Sequence, residues 1–550
     1  MVGAELVIRA LARRAVRTIF SLSGNQIMPL YDACIDAGIR IVHVRHEAAA
    51  VFMADAWAQV TGEVGVALLT AGPGLSNGVA PLYSALQAES PVLLLSGDSS
   101  VAEDGLGAFQ EMDQAAITAP VTKLSKRVLS TDALAAAIDL AMDTALAPRR
   151  GPVHLALPFD VLTARVQAEA LQPTRAAAAR ATGATGAARL DAQDARILAD
   201  ALSHAQRPMV LAGPAAAREM AARAWRAWSG RHSIPVVAME SPRGLRDPAA
   251  GAVAVQIAQS DLLVLAGKRL DFTLGFGRGQ VFHRDARVLV VDPDPAMLDR
   301  ARQLLGDRLC HAVLADPDAI VASVAALSDT RVQERSAWLA QVQSALAVRA
   351  SAATPAVAAG RIGSRELCAL VQRFLDEVAE PIVVCDGGEF GQWAQAFCQG
   401  RVRIVNGMSG AIGGGICYAI AAKLARPDAT VLALMGDGTS GFHFMEFDTA
   451  VRENAPFVAV IGNDLRWNAE HLIQLRAYGA DRLIGCGLAD TARYDLAAQA
   501  LGGFGVQLSA ADAVLPALRA AVQSGRPACL NVDIDSQPAP VYADQAAATH

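Results

Sequence analysis

What this sequence lacks narrows its class before any motif is read. None of its eight cysteines, Cys34, Cys310, Cys368, Cys385, Cys398, Cys417, Cys486 and Cys529, belongs to a Cys-x-x-Cys pair. Scattered thiols of this kind fit a reducing cytoplasm better than a disulfide framework or a zinc site. No apolar run approaches the ~20 residues that a membrane-spanning helix needs. The apolar segments 91–95, 261–266 and 287–291 are short, as buried parallel strands are. The opening Met1-Val2-Gly3-Ala4-Glu5-Leu6 offers no basic region ahead of a long apolar core, so no secretory signal is expected. Nor is there a surplus of basic charge. With 48 Lys and Arg against 54 Asp and Glu the net charge is −6, which argues against a nucleic-acid partner.

What is present is bulk. The chain has 550 residues, 53% of them hydrophobic, enough for about three or four domains with cores of their own. Strand-like runs at 40–44, 64–69 and 91–95 alternate with helical ones at 48–61 and 78–89. The last third repeats the rhythm at 382–385, 402–405, 430–435 and 457–461, and the middle has strands near Pro208, Leu262 and Val288. Such alternation predicts α/β domains with parallel sheets and right-handed crossovers. Two Ala-rich passages, 168–189 and 345–360, read as linkers. The expectation is three doubly wound domains, at 1–165, 190–330 and 361–535, the outer two being distant copies of one fold.

In open parallel sheets ligands bind beyond the carboxyl ends of strands. After strand 430–435 comes Gly436-Asp437-Gly438-Thr439-Ser440-Gly441, and after strand 457–461 comes Gly462-Asn463-Asp464. Strands joined by one crossover helix often lie side by side, which would bring Asp437 and Asp464 to one cation. Oxygen ligands suit a hard ion such as Mg²⁺. Gly436 and Gly438 let backbone approach phosphate, and the helix that follows supplies N–H groups.

Gly436-Asp437-Gly438, with Asp464 27 positions after Asp437, resembles the cofactor motif of the thiamine diphosphate enzymes. The resemblance spans nearly the whole chain and points to the group of acetolactate synthase, benzaldehyde lyase and oxalyl-CoA decarboxylase. It extends through Arg45-His46-Glu47-Ala48-Ala49-Ala50, Thr70-Ala71-Gly72-Pro73-Gly74-Leu75-Ser76-Asn77 and Gly151-Pro152-Val153-His154-Leu155-Ala156-Leu157-Pro158. Several motifs in order are more specific than any one alone.

The resemblance implies thiamine diphosphate and Mg²⁺ as cofactors. Glu47 is then the catalytic acid that bonds the pyrimidine N1′ and turns the cofactor's own amino group into a base. Ile412, in Ser409-Gly410-Ala411-Ile412-Gly413-Gly414-Gly415, is the apolar wedge that bends the cofactor, and the Gly410 carbonyl accepts from its amine. Pro73, Asn77, Gly387, Gly388, Gly436, Asp437, Gly438 and Thr439 complete the cofactor shell. Asp437, Asp464 and the Arg466 carbonyl form the metal set. The family has Asn where Asp464 stands, which leaves open whether Asp464 or Asn463 is the ligand. For substrate, Gly107-Ala108-Phe109-Gln110-Glu111 resembles an acetolactate synthase segment that puts Phe109 and Gln110 in the pocket. Asn25 and Gln26 form a polar loop opposite. Glu470 and His471 are either a proton relay or a solvated helix edge.

The implied reaction makes or breaks a C–C bond next to a carbonyl, acting on a 2-oxo acid, a 2-hydroxy ketone or an aldehyde. Acetolactate synthase-like carboligation or decarboxylation leads, and a 2-hydroxyacyl-CoA lyase comes second. An FAD-dependent oxidase of the pyruvate oxidase type is the third reading. The segment Gly267-Lys268-Arg269-Leu270-Asp271-Phe272-Thr273-Leu274-Gly275-Phe276-Gly277 resembles one near an ADP site, and FAD or ADP in the middle domain stays unassigned. In the family Glu47 meets a cofactor held by the partner subunit, so a homodimer or homotetramer is implied.

Overall fold

The structure is a computed structural model describing residues 1–165, 190–279, 281–324, 327, 331–348, 357–405 and 409–540. Runs of Val, Leu, Ile and Ala without polar alternation can be buried on both faces, as parallel strands covered by helices require. The strand interiors have that composition, as in Gly65–Leu69 and Val153–Pro158, where every residue is buried. Three parallel sheets result.

The first sheet comprises β1 (Thr18–Ser21), β2 (Arg40–His43), β3 (Gly65–Leu69), β4 (Val92–Asp98), β5 (Leu124–Arg127) and β6 (Val153–Pro158), in the order β2-β1-β3-β4-β6-β5. The middle sheet has β7 (Pro208–Ala212), β8 (Val236–Ala238), β9 (Leu262–Ala266), β10 (Arg287–Asp292) and β11 (Leu309–Leu314), in the order β11-β10-β9-β7-β8. The third has β12 (Pro381–Asp386), β13 (Val402–Val405), β14 (Thr430–Gly436), β15 (Val458–Asn463), β16 (Phe504–Leu508) and β17 (Ala528–Asp533), in the order β13-β12-β14-β15-β17-β16. Numbered within its own sheet, each outer sheet therefore runs 2-1-3-4-6-5. The predicted kinship of the two outer segments appears as shared topology.

Strand β4 runs three residues past the predicted end at Leu95. Hydrophobicity stops there, but Ser96, Gly97 and Asp98 continue in register with Ala156, Leu157 and Pro158. The predicted linker 168–189 lies outside the described residues. Of the passage 345–360, residues 345–347 end the helix Val332–Ala347, and 349–356 lie outside the described residues.

The described residues divide into two compact units. One falls within Met1–Ala184, Val357–Gly391 and Gln399–Gln537, the other within Thr185–Ala356, Gln392–Cys398 and Pro538–His550. The first unit unites the two outer sheets. Its joint is the packing of helix Glu47–Thr61 on helix Gly415–Ala425. Both present alanines to a common core that includes Ala49, Ala50, Ala419 and Ala422, so the two backbones come close. Phe52 meets Tyr418 edge-on at 5.5 Å, and the Tyr418 hydroxyl donates to buried Asp55 Oδ2 at 3.0 Å. A hydrogen bond to a buried charge contributes about 1.5–3 kcal/mol, and here it also fixes the register of the two helices. All eight cysteines are free, and no helix among the described residues is long and apolar enough to cross a membrane.

Candidate active site

Strand order reverses between β1 and β3 in the first sheet and between β12 and β14 in the third. These switch points open a crevice at the carboxyl ends of the strands. The segments that follow the four strands carry nine of the candidate residues: Asn25 and Gln26 after β1, Pro73 and Asn77 after β3, Gly387 and Gly388 after β12, and Asp437 to Thr439 after β14.

In the third sheet β14 and β15 are neighbours, paired to Gly436↔Gly462, so Asp437 and Asp464 leave the same edge side by side. Both are almost fully buried, at 2% and 6% exposure. Asp437 Oδ1 accepts from the Gly438 N–H at 2.8 Å, and Oδ2 accepts from the Arg466 N–H at 3.2 Å. Burial pushes the Asp437 carboxyl up to about 6. Burial and then the negative charge of Asp437 push Asp464 up to about 7. Two buried acids, one of them pushed up by the charge of the other, are a donor set suited to a divalent cation. Asn463 is otherwise engaged: its Nδ2 donates to Asn531 Oδ1 at 3.0 Å and its Oδ1 accepts from the Leu465 N–H at 3.2 Å. Leu465 has φ +64°, a left-handed conformation that branched side chains rarely adopt, and it turns the chain so that the Arg466 N–H meets Asp437.

Opposite this loop, Gly387 has φ +60°, and a Cβ there would lie 2.0 Å from Thr439 Oγ1. Only glycine lets the two turns approach so closely, which leaves backbone rather than side chain facing the crevice. Gly388 follows with φ +63°. Asp386, fully buried at the end of β12, accepts from the Gly413 N–H at 3.0 Å and the Gly415 N–H at 2.6 Å. That ties the loop carrying Gly410 and half-buried Ile412 to the sheet. Burial pushes Asp386 up to about 7.

In the first sheet, Glu47 opens the helix Glu47–Thr61, with His46 as N-cap accepting from the Ala48 N–H through Nδ1. Glu47 Oε2 accepts from Asn77 Nδ2 at 3.0 Å, so two of the predicted cofactor residues meet. Gln26 and Gln110 also meet. Thr70 Oγ1 donates to Gln26 Oε1 at 2.7 Å, and Gln26 Nε2 donates to Gln110 Oε1 at 3.0 Å. Gln110 is held at φ +62° by a loop that Glu111 organises, its carboxylate accepting from the N–H groups of Gly105, Gly107 and Ala108. Those bonds, that from Gly105 foremost, hold the Glu111 carboxyl below its ordinary range.

Other predicted residues stand apart. Asn25 is exposed, as is Phe109 at 75%. His471 Nε2 lies 3.3 Å from Arg466 Nη1, whereas its neighbour Glu470 is exposed. In the middle unit Lys268 is buried and donates to Thr273 Oγ1 at 2.6 Å and to Asp271 at 3.4 Å, so the lysine of that loop serves the loop itself. Among the described residues no group of three or more His, Cys, Asp or Glu side chains could hold a metal. A cation at Asp437 and Asp464 would therefore complete its shell with backbone, phosphate and water oxygens. Sequence reading passed over Thr70, Asp386 and Glu446 as site residues. Thr70 opens the segment Thr70 to Asn77 and Asp386 directly precedes Gly387, whereas Glu446 carries no local signal.

Two half-sites of this kind, one with paired acids and glycine turns and the other with a first-turn glutamate, are those of a thiamine diphosphate enzyme. Family models agree along the chain: the N-terminal TPP binding domain of thiamine pyrophosphate enzymes matches residues 1–117, their central domain 195–324 and their C-terminal TPP binding domain 386–532. The chain belongs to this family and is a thiamine diphosphate-dependent enzyme. Acetolactate synthase large subunit IlvG of Mycobacterium tuberculosis is 32% identical over 97% of this chain and 96% of its own length. 2-Hydroxyacyl-CoA lyase 2 of Bos taurus is 34% identical over 96% of this chain and 89% of its own. Among solved structures, the thiamine diphosphate-dependent 4-hydroxybenzoylformate decarboxylase of Rhodococcus jostii shares the fold. Its TM-score is 0.78 at 21% identity, over 97% of this chain and 99% of that one.

Proposed function

We propose that this enzyme uses thiamine diphosphate with Mg²⁺ to join or cleave carbon–carbon bonds next to a carbonyl, as a carboligase of the acetolactate synthase kind or a 2-oxo acid decarboxylase. The observation that carries the reading is a pair of half-sites: glycine turns and Asp437 at the β12/β14 switch point with Asp464 after neighbouring β15, and Glu47 in the turn after β2, bonded to Asn77 of the segment after β3. The cofactor, when bound, supplies a nucleophilic carbon that adds to a substrate carbonyl. Asp437, Asp464 and the Arg466 carbonyl would hold the cation. Gly387, Gly388, Gly436, Gly438 and Thr439 would hold the diphosphate against backbone N–H groups. Gly410 and Ile412 would orient and bend the cofactor, with Pro73 and Asn77 bordering the pyrimidine. Glu47, kept in place by Asn77, would share a proton with the pyrimidine ring. Gln110, aimed by Gln26, would donate to a substrate oxygen, and Asn25, Phe109, Glu470 and His471 would border the entrance. This division of labour assigns 1–165 to the pyrimidine side, 361–535 to the diphosphate side and 190–330 to the central domain.

Glu47 would serve a cofactor held by a second copy, so the active form would be a cytoplasmic homodimer or homotetramer. The likeness to 2-hydroxyacyl-CoA lyase 2 supports a second reading, cleavage of a 2-hydroxyacyl-CoA. A screen for CO₂ release and carboligation with simple 2-oxo acids and aldehydes decides between them. Turnover of 2-oxo acids supports the first reading, and product only with acyl-CoA substrates replaces it with the second.

A further inference from the structure

The turn that delivers Glu47 is not held by its own domain alone. Glu446, on the helix Glu446–Arg452 that follows the metal-side turn, is 1% exposed. Its Oε1 accepts from two successive backbone N–H groups, Arg45 at 2.9 Å and His46 at 3.1 Å. Its Oε2 accepts from Thr449 Oγ1 at 2.6 Å, which fixes the carboxylate plane. These two N–H groups belong to the residues immediately before Glu47, and the first backbone donors of a helix have no partner within it. A buried negative charge at that end also suits the helix dipole.

The same short stretch holds the other half of the site. His443 Nδ1 lies 2.7 Å from the Gly413 carbonyl, and its ring meets His46 at 5.7 Å, nearly perpendicular. Arg452 donates to the His43 carbonyl at 2.6 Å, just upstream in the same turn. These anchors of residues 43–46 come from His443 and from the helix Glu446–Arg452 that follows it, and Glu446 is the one that grips the backbone next to the acid.

We propose that Glu446 is a positioning residue for Glu47: it holds the Arg45–His46 backbone so that the Glu47 carboxyl reaches the cofactor ring, and it takes no part in the chemistry itself. This rests on the assignment of Glu47 as the activating acid. Removing the carboxylate takes the acceptor from both N–H groups and lets the turn relax. A misplacement of about 1 Å at an acid–base group lowers its rate about 10- to 100-fold.

The test measures three properties of Glu446→Ala, Glu446→Gln and Thr449→Val. They are hydrogen–deuterium exchange of the amides at 43–50 in the cofactor-free protein, the dissociation constant of thiamine diphosphate at saturating Mg²⁺, and the rate of C2 deuterium exchange of the bound cofactor. The expected result for Glu446→Ala is faster exchange at 45 and 46, cofactor affinity within about threefold of the parent, and C2 exchange slowed about 10- to 100-fold. Glu446→Gln, which keeps an acceptor oxygen in place, should recover most of that loss. Should the alanine variant fail to fold, Thr449→Val carries the test, and slowed C2 exchange at near-parental affinity in it supports the proposal. Parental C2 exchange in a folded variant whose 45–46 amides have been freed overturns it, as does a loss of cofactor binding that accounts for the whole effect. Glu47→Gln is the control. If it keeps full C2 exchange, the assignment of Glu47 falls and this inference with it; if it loses exchange while the Glu446 variants do not, this inference alone falls.

Discussion

Asp464→Asn separates the charge of this side chain from its shape. In the cation-free protein Asp464 is buried beside Asp437 and its carboxyl is pushed up to about 7. The folded protein thus keeps this proton to a higher pH than the unfolded chain does. The associated stability is complete below about pH 4 and is lost as pH rises through about 7. A gap of roughly 3 between ordinary and shifted pKa corresponds to about 4 kcal/mol, the ceiling of the effect. Asparagine keeps the outline and cannot ionise. In EDTA the variant should therefore match the parent near pH 4 and exceed it by about 2–4 kcal/mol above pH 7. Adding Mg²⁺ reverses the order of benefit. The parent's second carboxylate strengthens cation binding, and a tenfold difference in affinity gives the parent about 1.4 kcal/mol more stabilisation at saturating cation. Calorimetric melting of both proteins between pH 4 and 8, with EDTA and then with MgCl₂, reads both effects. Parallel pH profiles, or equal stabilisation by Mg²⁺, would refute the reasoning.

Three further changes probe other parts of the site and its frame. Gly387→Ala places a methyl 2.0 Å from Thr439 Oγ1 at φ +60°, so cofactor affinity measured by calorimetric titration should fall by about tenfold or more, with about 1–3 kcal/mol of stability lost. Thr70→Val removes the hydroxyl that aims Gln26 and through it Gln110; KM for a 2-oxo acid should rise about 5- to 10-fold while cofactor affinity holds, and an unchanged KM would mean that Gln110 needs no such support. His154 is buried among Ser96, Thr118 and Ser125, and burial pushes its imidazole down to about 3. Its contribution is therefore complete above about pH 6.5 and falls with pH toward 3. Between pH 6.5 and 4.5 the parent should lose roughly 2–3 kcal/mol more than His154→Gln, read from urea midpoints.

The strands were legible in the sequence because burial on both faces leaves an unbroken apolar run, and the glycine turns because each follows such a run. Asp437 and Asp464 could be paired in advance because one crossover helix separates their strands. What sequence could not show is contact at a distance. Gln26 and Gln110 are 84 positions apart, and Glu446 lies 401 positions from Arg45. Nothing in the seven-residue helix Glu446–Arg452 marks its glutamate as more than a first-turn acid. Adjacent helical residues point about 100° apart, so Glu470 and His471 read together on the page while one is exposed and the other rests against Arg466. The strain at Leu465 and Gln110 was equally invisible, since a left-handed backbone without glycine has no compositional mark.

The joint between helix Glu47–Thr61 and helix Gly415–Ala425 sets a timetable for biosynthesis. Asp55 and the tyrosine that caps it are 363 positions apart. At ribosomal speeds of about 5–20 residues per second, the amino-terminal segment waits roughly 20–70 s for the surface that will cover its alanine-lined helix. The intervening five-stranded sheet, β7 to β11, can meanwhile form. A nascent chain stalled after that sheet should thus present a formed middle sheet beside an unpaired, chaperone-binding first sheet, and the enzyme's slowest step of maturation would be the reunion of its two outer sheets.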